Sequence, residues 1–235
     1  MQIKRALNKV QIPYICYNFF MAKKTLTTIY IVRHGESTQN AGIHKGEKDH
    51  EIPLTLKGED QAKELAKKFR GIHFDVAFSS DYLRAKKTAK LITLENKLSV
   101  KTTALIRERT FGNDYFNNRE KIRAEMKEIF KKLTDEEKLN YKYTKDMESA
   151  KEGAKRLLSL LQEIKAAYMG KTILVVCHGN IMRSLLNILG WCKFDEIPEN
   201  AIENTGYIKL ETKGMNFIIT ETKGVNKKIG VARLM

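Results

Sequence analysis

The sequence predicts an α/β fold, a three-layer α/β/α sandwich around a mostly parallel sheet, and three observations predict it. Short apolar stretches rich in β-branched residues alternate with segments of helical periodicity, the pattern of strands joined by crossover helices. The two most apolar stretches, residues 29–32 and 172–177, are too uniformly hydrophobic to have a wet face, as expected of strands covered on both sides. Both run into a histidine followed by glycine, His34-Gly35 and His178-Gly179.

Taken in order, residues 1–26 read as an extension outside the fold. Lys4, Arg5 and Lys9 precede an apolar stretch, but Asn18 interrupts it and Ala22 runs into Lys23-Lys24, a poor site for signal cleavage. Met21 opens a segment that leads straight into the first strand, so the first twenty residues read either as an appendage or as lying upstream of the true start. One domain is expected over 27–222. After Arg33-His34-Gly35 and a polar loop through Asp49, Thr55 is placed to cap a helix with Ala62, Leu65, Ala66 and Phe69 on its buried face. A second strand is expected over 74–78, with Ser79-Ser80-Asp81 capping a helix that carries Arg84 in its first turn. A short strand near 100–102 leads to the segment holding Glu108. The highly charged stretch 113–147 reads as an insertion over one end of the sheet, helical around 122–133. Residues 148–168 have apolar positions at helical spacing, 172–177 form the most apolar strand, and a helix follows over 181–189. Two closing strands are expected at 206–210 and 217–221, then a basic tail over 223–235.

Composition narrows the function. A chain of 235 residues can bury a full core, and it has no apolar run of the ~18 residues that a membrane span requires. Cys16, Cys177 and Cys192 are odd in number and lack metal-type spacing, which fits a reduced, cytoplasmic setting. Cys177 lies on so apolar a strand that it reads as a small buried residue rather than a nucleophile. The net charge of +15 raises the local concentration of anionic ligands. The lysines are spread over many helices rather than gathered in one stripe, so a nucleic-acid partner is not expected. His44, His50 and His73 offer no metal-ligand pair.

The positional fact is that three separate strand ends present Arg33-His34, Arg84 and His178. In an open α/β sheet such ends converge on one crevice. Guanidinium forks match phosphate oxygens, and imidazole is a nucleophile when neutral. Nearby arginines disfavour the imidazolium form of His34. His178, when protonated, could donate a hydrogen bond to developing charge, and Asn180 heads a helix whose free amides favour an anion.

Segments in a characteristic order carry a resemblance over most of residues 28–211: Arg33-His34-Gly35-Glu36 with Asn40; Pro53-Leu54-Thr55 and Gly58 with Gln61-Ala62; and Ser79-Ser80 with Leu83-Arg84-Ala85 and Thr88. Arg107-Glu108 with Phe111-Gly112, Glu148-Ser149, His178-Gly179 with Arg183, and Asn204-Thr205-Gly206 complete it. Together they resemble the histidine phosphatase superfamily, which includes the cofactor-dependent phosphoglycerate mutases. The resemblance implies a phosphoglycerate mutase-like sandwich and transient phosphorylation of His34. It implies that Arg33, Arg84 and His178, with Gly179 and Asn40, contact the phosphoryl group, and that Glu108 protonates the leaving oxygen. It implies a phosphorylated small-molecule partner, no cofactor and no metal. The 113–147 segment contains no proline, unlike the longer insertion of the mutases, which favours a phosphatase over a mutase. Lys145-Asp146-Met147 stands before Glu148-Ser149 where the family carries glycine, and this affects only loop geometry. The alternatives are a mutase-like phosphotransferase and a catalytically silent basic binding protein.

Overall fold

A computed structural model describes residues 26–44, 46–112, 115, 118–214 and 216–228. The expected extension lies outside the described residues except for Leu26, and of the expected tail only 223–228 falls within them. The strands are β1 (Thr28–Arg33), β2 (Val76–Ser80), β3 (Val100–Thr103), β4 (Thr172–Cys177), β5 (Ile202–Lys213) and β6 (Asn216–Val225). The helices are α1 (Leu56–Lys68), α2 (Leu83–Thr93), α3 (Arg119–Phe130), α4 (Asp135–Asn140), α5 (Ala150–Ala167) and α6 (Gly179–Ile188).

The strands form one sheet in the order β3-β2-β4-β1-β5-β6. Pairing is parallel from β3 through β1, and β5 and β6 add an antiparallel edge. Alternation along the central strands explains the three layers, because successive side chains leave opposite faces. Ile29, Ile31, Ile173 and Val175 pack with Leu157 and Leu161 of α5 and with Ile181 and Leu185 of α6. Tyr30, Val32, Leu174 and Val176 face the other way, with Leu65 of α1 and with Ala85, Ala89 and Ile92 of α2. Each fully buried aliphatic side chain contributes roughly 1.5–3 kcal/mol, so the central strands anchor both layers.

Several boundaries differ from the sequence expectation, each for a local reason. β2 lies two residues later than 74–78, because Ser79 and Ser80 satisfy their hydroxyls within the strand end: Ser79 Oγ donates to the Ser80 carbonyl at 2.7 Å, and Ser80 Oγ accepts from the Tyr82 amide at 3.3 Å. Asp81 does not cap α2; Tyr82 is the N-cap without a side-chain bond, and Asp81 pairs with Arg107. The insertion holds two helices rather than one. The second, α4, starts at a capping box in which Thr134 and Glu137 satisfy each other's backbone amides. Lys138, nearly buried, ties α4 to Asp195 at 2.6 Å. β6 continues to Val225, past the expected end at 221, because it pairs with β5 as far as Ile202.

One crossing fixes the loop after β1. A Cβ on Gly58 would lie 2.0 Å from the Glu36 carbonyl oxygen, and one on Gly35 would lie 2.3 Å from the Gly58 carbonyl oxygen. The chain after β1 thus rests directly on the first turn of α1, where Thr55 caps the helix through the Gly58 amide as expected. Helix propensity alone favours alanine over glycine by about 1 kcal/mol. The clash is with backbone that cannot rotate away, so it wins: Gly58→Ala should destabilise the protein by about 2–3 kcal/mol. Denaturant unfolding reads this as a lowered midpoint, and an unchanged midpoint would refute the steric account.

Candidate active site

β1 and β4 are parallel neighbours with Arg33 opposite Cys177, so the residues that follow step off the sheet side by side. The His34 amide donates to the Cys177 carbonyl at 3.1 Å, and the His34 and His178 rings stand 5.1 Å apart between centroids. His34 Nδ1 lies 2.7 Å from the Gly35 carbonyl oxygen. A carbonyl only accepts, so Nδ1 carries the proton and Nε2 keeps its lone pair. The Gly35 amide in turn donates to Thr88 Oγ1 at 3.0 Å, and that hydroxyl donates to the Arg84 carbonyl at 2.8 Å. This chain links the end of β1 to the first turn of α2.

Burial, then the charges of Arg84 and Arg33, hold the His34 imidazole well below its usual range. Burial, then Arg84, His34 and Arg33, do the same to His178. Both rings are therefore neutral near pH 7, and His178 offers one N–H rather than the two of a protonated ring. It is fully buried, and both its nitrogens lack a hydrogen-bond partner among the described residues. His34 reaches the cavity wall; His178 lies behind it and does not.

These depressed values carry a stability consequence. Between the folded values and the unfolded value near 6.5, the unfolded chain binds more protons, so stability is complete above about pH 6.5 and falls as pH drops through and below it. Each histidine contributes a slope of up to about 1.4 kcal/mol per pH unit in that window. Denaturant unfolding at pH 7.5 and pH 5 should show the loss, and His34→Ala should make it shallower. A wild type equally stable at both would contradict the buried neutral pair.

Arg33 and Arg84 are likewise buried. Arg33 donates from Nη1 to the Ile202 carbonyl, and its Nε has no partner. Gly179 leaves the room it needs, since a Cβ there would lie 3.2 Å from that Nε. Arg84 donates from Nη1 to the Asp49 carbonyl and from Nη2 to Asp49 Oδ1 at 3.1 Å, and its Nε is also unpartnered. A buried guanidinium N–H without an acceptor is costly unless a ligand supplies one. Two such groups flank His34.

Asn40 lies at the cavity edge with its side-chain oxygen occupied by Ser37 and by Asn204 Nδ2, which also donates to the His34 carbonyl. Glu108 is not paired with its arginine neighbours' side chains. Its carboxylate accepts from the Arg109, Asn180 and Ile181 amides at 2.9–3.0 Å, covering the start of α6. It lines the cavity, and among the described residues its carboxylate only accepts hydrogen bonds. Cys177 is wholly buried and burial pushes its thiol up, so it stays an inert core residue as expected.

Three participants were not expected. Tyr82, Asp49 and Asn204 all touch the gripping residues, and only Asn204 stood in a segment singled out from the sequence. The cavity holds about 560 Å³, far more than a phosphoryl group needs, and its lining also carries Arg109, Arg119, Arg123 and Arg183. Arg123 pairs with Glu199, and Arg183 donates to the Ile197 carbonyl at 2.6 Å.

Comparison with known proteins gives one consistent result. The family model described as histidine phosphatase superfamily (branch 1) matches residues 29–223. The chain is 30% identical over 164 residues to the "Uncharacterized phosphatase PhoE" of Bacillus subtilis (strain 168), covering 68% of this chain and 76% of that one. It is 32% identical over 172 residues to the 2,3-bisphosphoglycerate-dependent phosphoglycerate mutase of Methylocella silvestris, covering 68% and 80%. Among solved structures, phosphoglycerate mutase from Bacillus anthracis superposes with a TM-score of 0.70 at 24% identity, covering 87% of this chain and 95% of that one. The fold is that of the phosphoglycerate mutase-like proteins, as expected. Among the described residues no helix is long and apolar enough to cross a membrane.

Proposed function

From the premise that the chain belongs to the histidine phosphatase superfamily (branch 1), we propose that it hydrolyses a phosphorylated small molecule through a phosphohistidine at His34. The observation that carries this reading is the lone pair on His34 Nε2, set by the Nδ1 contact to Gly35, between two buried arginines whose Nε groups lack acceptors. In the proposed reaction Nε2 attacks phosphorus and the bond to the leaving oxygen breaks. Arg33, Arg84 and an N–H of His178 stabilise the three equatorial oxygens. For His178 this requires a small shift, since it lies behind the wall. Glu108 gives a proton to the departing alkoxide, then takes one from the water that attacks the phosphohistidine, releasing phosphate and restoring the site. Asn40 orders the loop after β1, and Gly179 gives Arg33 its place. The further arginines of the lining, Arg109, Arg119, Arg123 and Arg183, favour a substrate with negative charge beyond the scissile group.

The mutase relatives support a second reading, in which the phosphoryl group passes to another hydroxyl rather than to water. One experiment addresses both. The protein is mixed briefly with a radiolabelled alkyl phosphate in excess chelator and quenched in alkali. A covalent label stable to base and labile to acid is the expected result; no label, or one with the opposite stability, would overturn a phosphohistidine. Loss of the label to water marks a phosphatase, whereas transfer to an added phosphoglycerate marks a mutase.

A further inference from the structure

Arg84 sits at the intersection of contacts that no simple phosphate grip requires. Its terminal edge, Nη1 and Nη2, is taken by one residue: Nη1 by the Asp49 carbonyl and Nη2 by Asp49 Oδ1. Its guanidinium carbon stands 4.9 Å from the centre of the Tyr82 ring, an arrangement that fixes the plane of the group. Burial, then the Asp49 carboxylate beside it, push the Tyr82 hydroxyl up, so Arg84, Asp49 and Tyr82 stand together. The same ring meets His178 edge-on at 5.2 Å and carries the Arg107 guanidinium at 5.4 Å, itself held by Asp81. Asp49 comes from the loop before α1, which is bound to α2 where the His50 carbonyl accepts from the Leu83 amide at 2.9 Å.

A guanidinium offers a terminal edge or a side edge that includes Nε, and each can hold two oxygens of a phosphate. In Arg84 the terminal edge is occupied and the side edge is buried without an acceptor. We propose that Asp49 and Tyr82 are positioning residues that together turn the Nε edge of Arg84, rather than its terminal edge, toward the phosphoryl group. The proposal rests on the phosphomonoesterase reading for the identity of that group. Asp49 works at a disadvantage, because a carboxylate so near a bound dianion repels it. The orientation of Arg84 must outweigh that repulsion, and this makes the sign of the effect diagnostic.

The test uses inorganic phosphate binding, followed by titration calorimetry, beside turnover of an aryl phosphate. Asp49→Ala removes the acceptor for Nη2 and should weaken phosphate binding by about 10-fold or more, the worth of one charge-assisted hydrogen bond to an ordered group. Asp49→Asn keeps a side-chain oxygen and removes the repulsive charge, so it should restore binding to the wild-type level or better. Tyr82→Phe should show a smaller loss that is not additive with Asp49→Ala, since both act on one group. Because the favourable action passes through Arg84, Asp49→Ala should cause no further loss in an Arg84→Lys background, and a small gain as its repulsion is removed. Tighter phosphate binding in Asp49→Ala would overturn the proposal and make Asp49 a competitor for the arginine. An equal loss in the Arg84→Lys background would also overturn it, reducing Asp49 to a loop anchor. Phosphate binding with these signs but no turnover would leave the positioning proposal standing and defeat the phosphomonoesterase reading instead.

Discussion

His34→Ala is expected to lower turnover of every phosphate monoester by about 10⁴-fold or more, while the protein still unfolds in one cooperative transition. The ring is buried, its one hydrogen bond among the described residues runs from Nδ1 to the next residue's carbonyl, and the backbone bond to Cys177 survives the substitution. Removing it deletes the group proposed to form the covalent bond and leaves Arg33 and Arg84 in place to bind phosphate. The variant should therefore retain phosphate affinity while losing turnover and the acid-labile label together. A rate within tenfold of wild type would mean that water attacks phosphorus directly, with His34 only a neighbour.

Glu108→Gln carries the second largest expected effect, and the geometry gives it two parts. A leaving alkoxide needs a proton and a nitrophenolate does not, so loss of the acid should slow an alkyl phosphate by about 10²-fold or more and a nitrophenyl phosphate far less. The structure adds a cost in stability. Both carboxylate oxygens accept backbone amides at the start of α6, and glutamine offers one oxygen where there were two. One amide then faces an NH₂ group, which should cost about 1 kcal/mol. The ratio of the two rates separates these parts, because a destabilised helix start slows both substrates alike. Equal losses would leave Glu108 as a cap for α6, and Asp81, though held by Arg107, would be the first acid to examine.

The elements that were legible in the sequence are those whose signal is local. β1 and β4 announce themselves by unbroken apolar composition, and the histidines that follow them needed only the strand ends to be located. Thr55 was legible as the cap of its helix, whereas the Ser/Thr-x-x-Glu pattern at Ser149 and Glu152, and at Thr134 and Glu137 where the charged surroundings obscured it, was available and went unread. What was not legible depends on contacts between distant segments. Nothing near Glu108 says that its carboxylate covers the start of α6, and nothing near Asp49 says that it will hold Arg84. The neutrality of His178 follows from burial, and burial of that degree is a property of the assembled layers. The seryl end of β2 misled because serine after a strand usually signals a helix start; here the Ser79 hydroxyl bonds within the strand end and the Ser80 hydroxyl meets the Tyr82 amide just beyond it.

The strand order has a consequence for how the protein comes to be folded. Both sheet neighbours of β1 lie far downstream: Thr28 pairs with Thr172 on one side and with Glu211 on the other. A growing chain that has already completed β1, β2 and β3 still lacks the strand that joins them, because β4 lies between β2 and β1. Until it is made, the apolar edges of β1 and β2 have no partner, and closing so long a loop is the slow step in topologies of this kind. Folding should therefore be late and cooperative rather than progressive from the first strand. His34 is among the earliest of the described residues to leave the ribosome and among the last to be set in place.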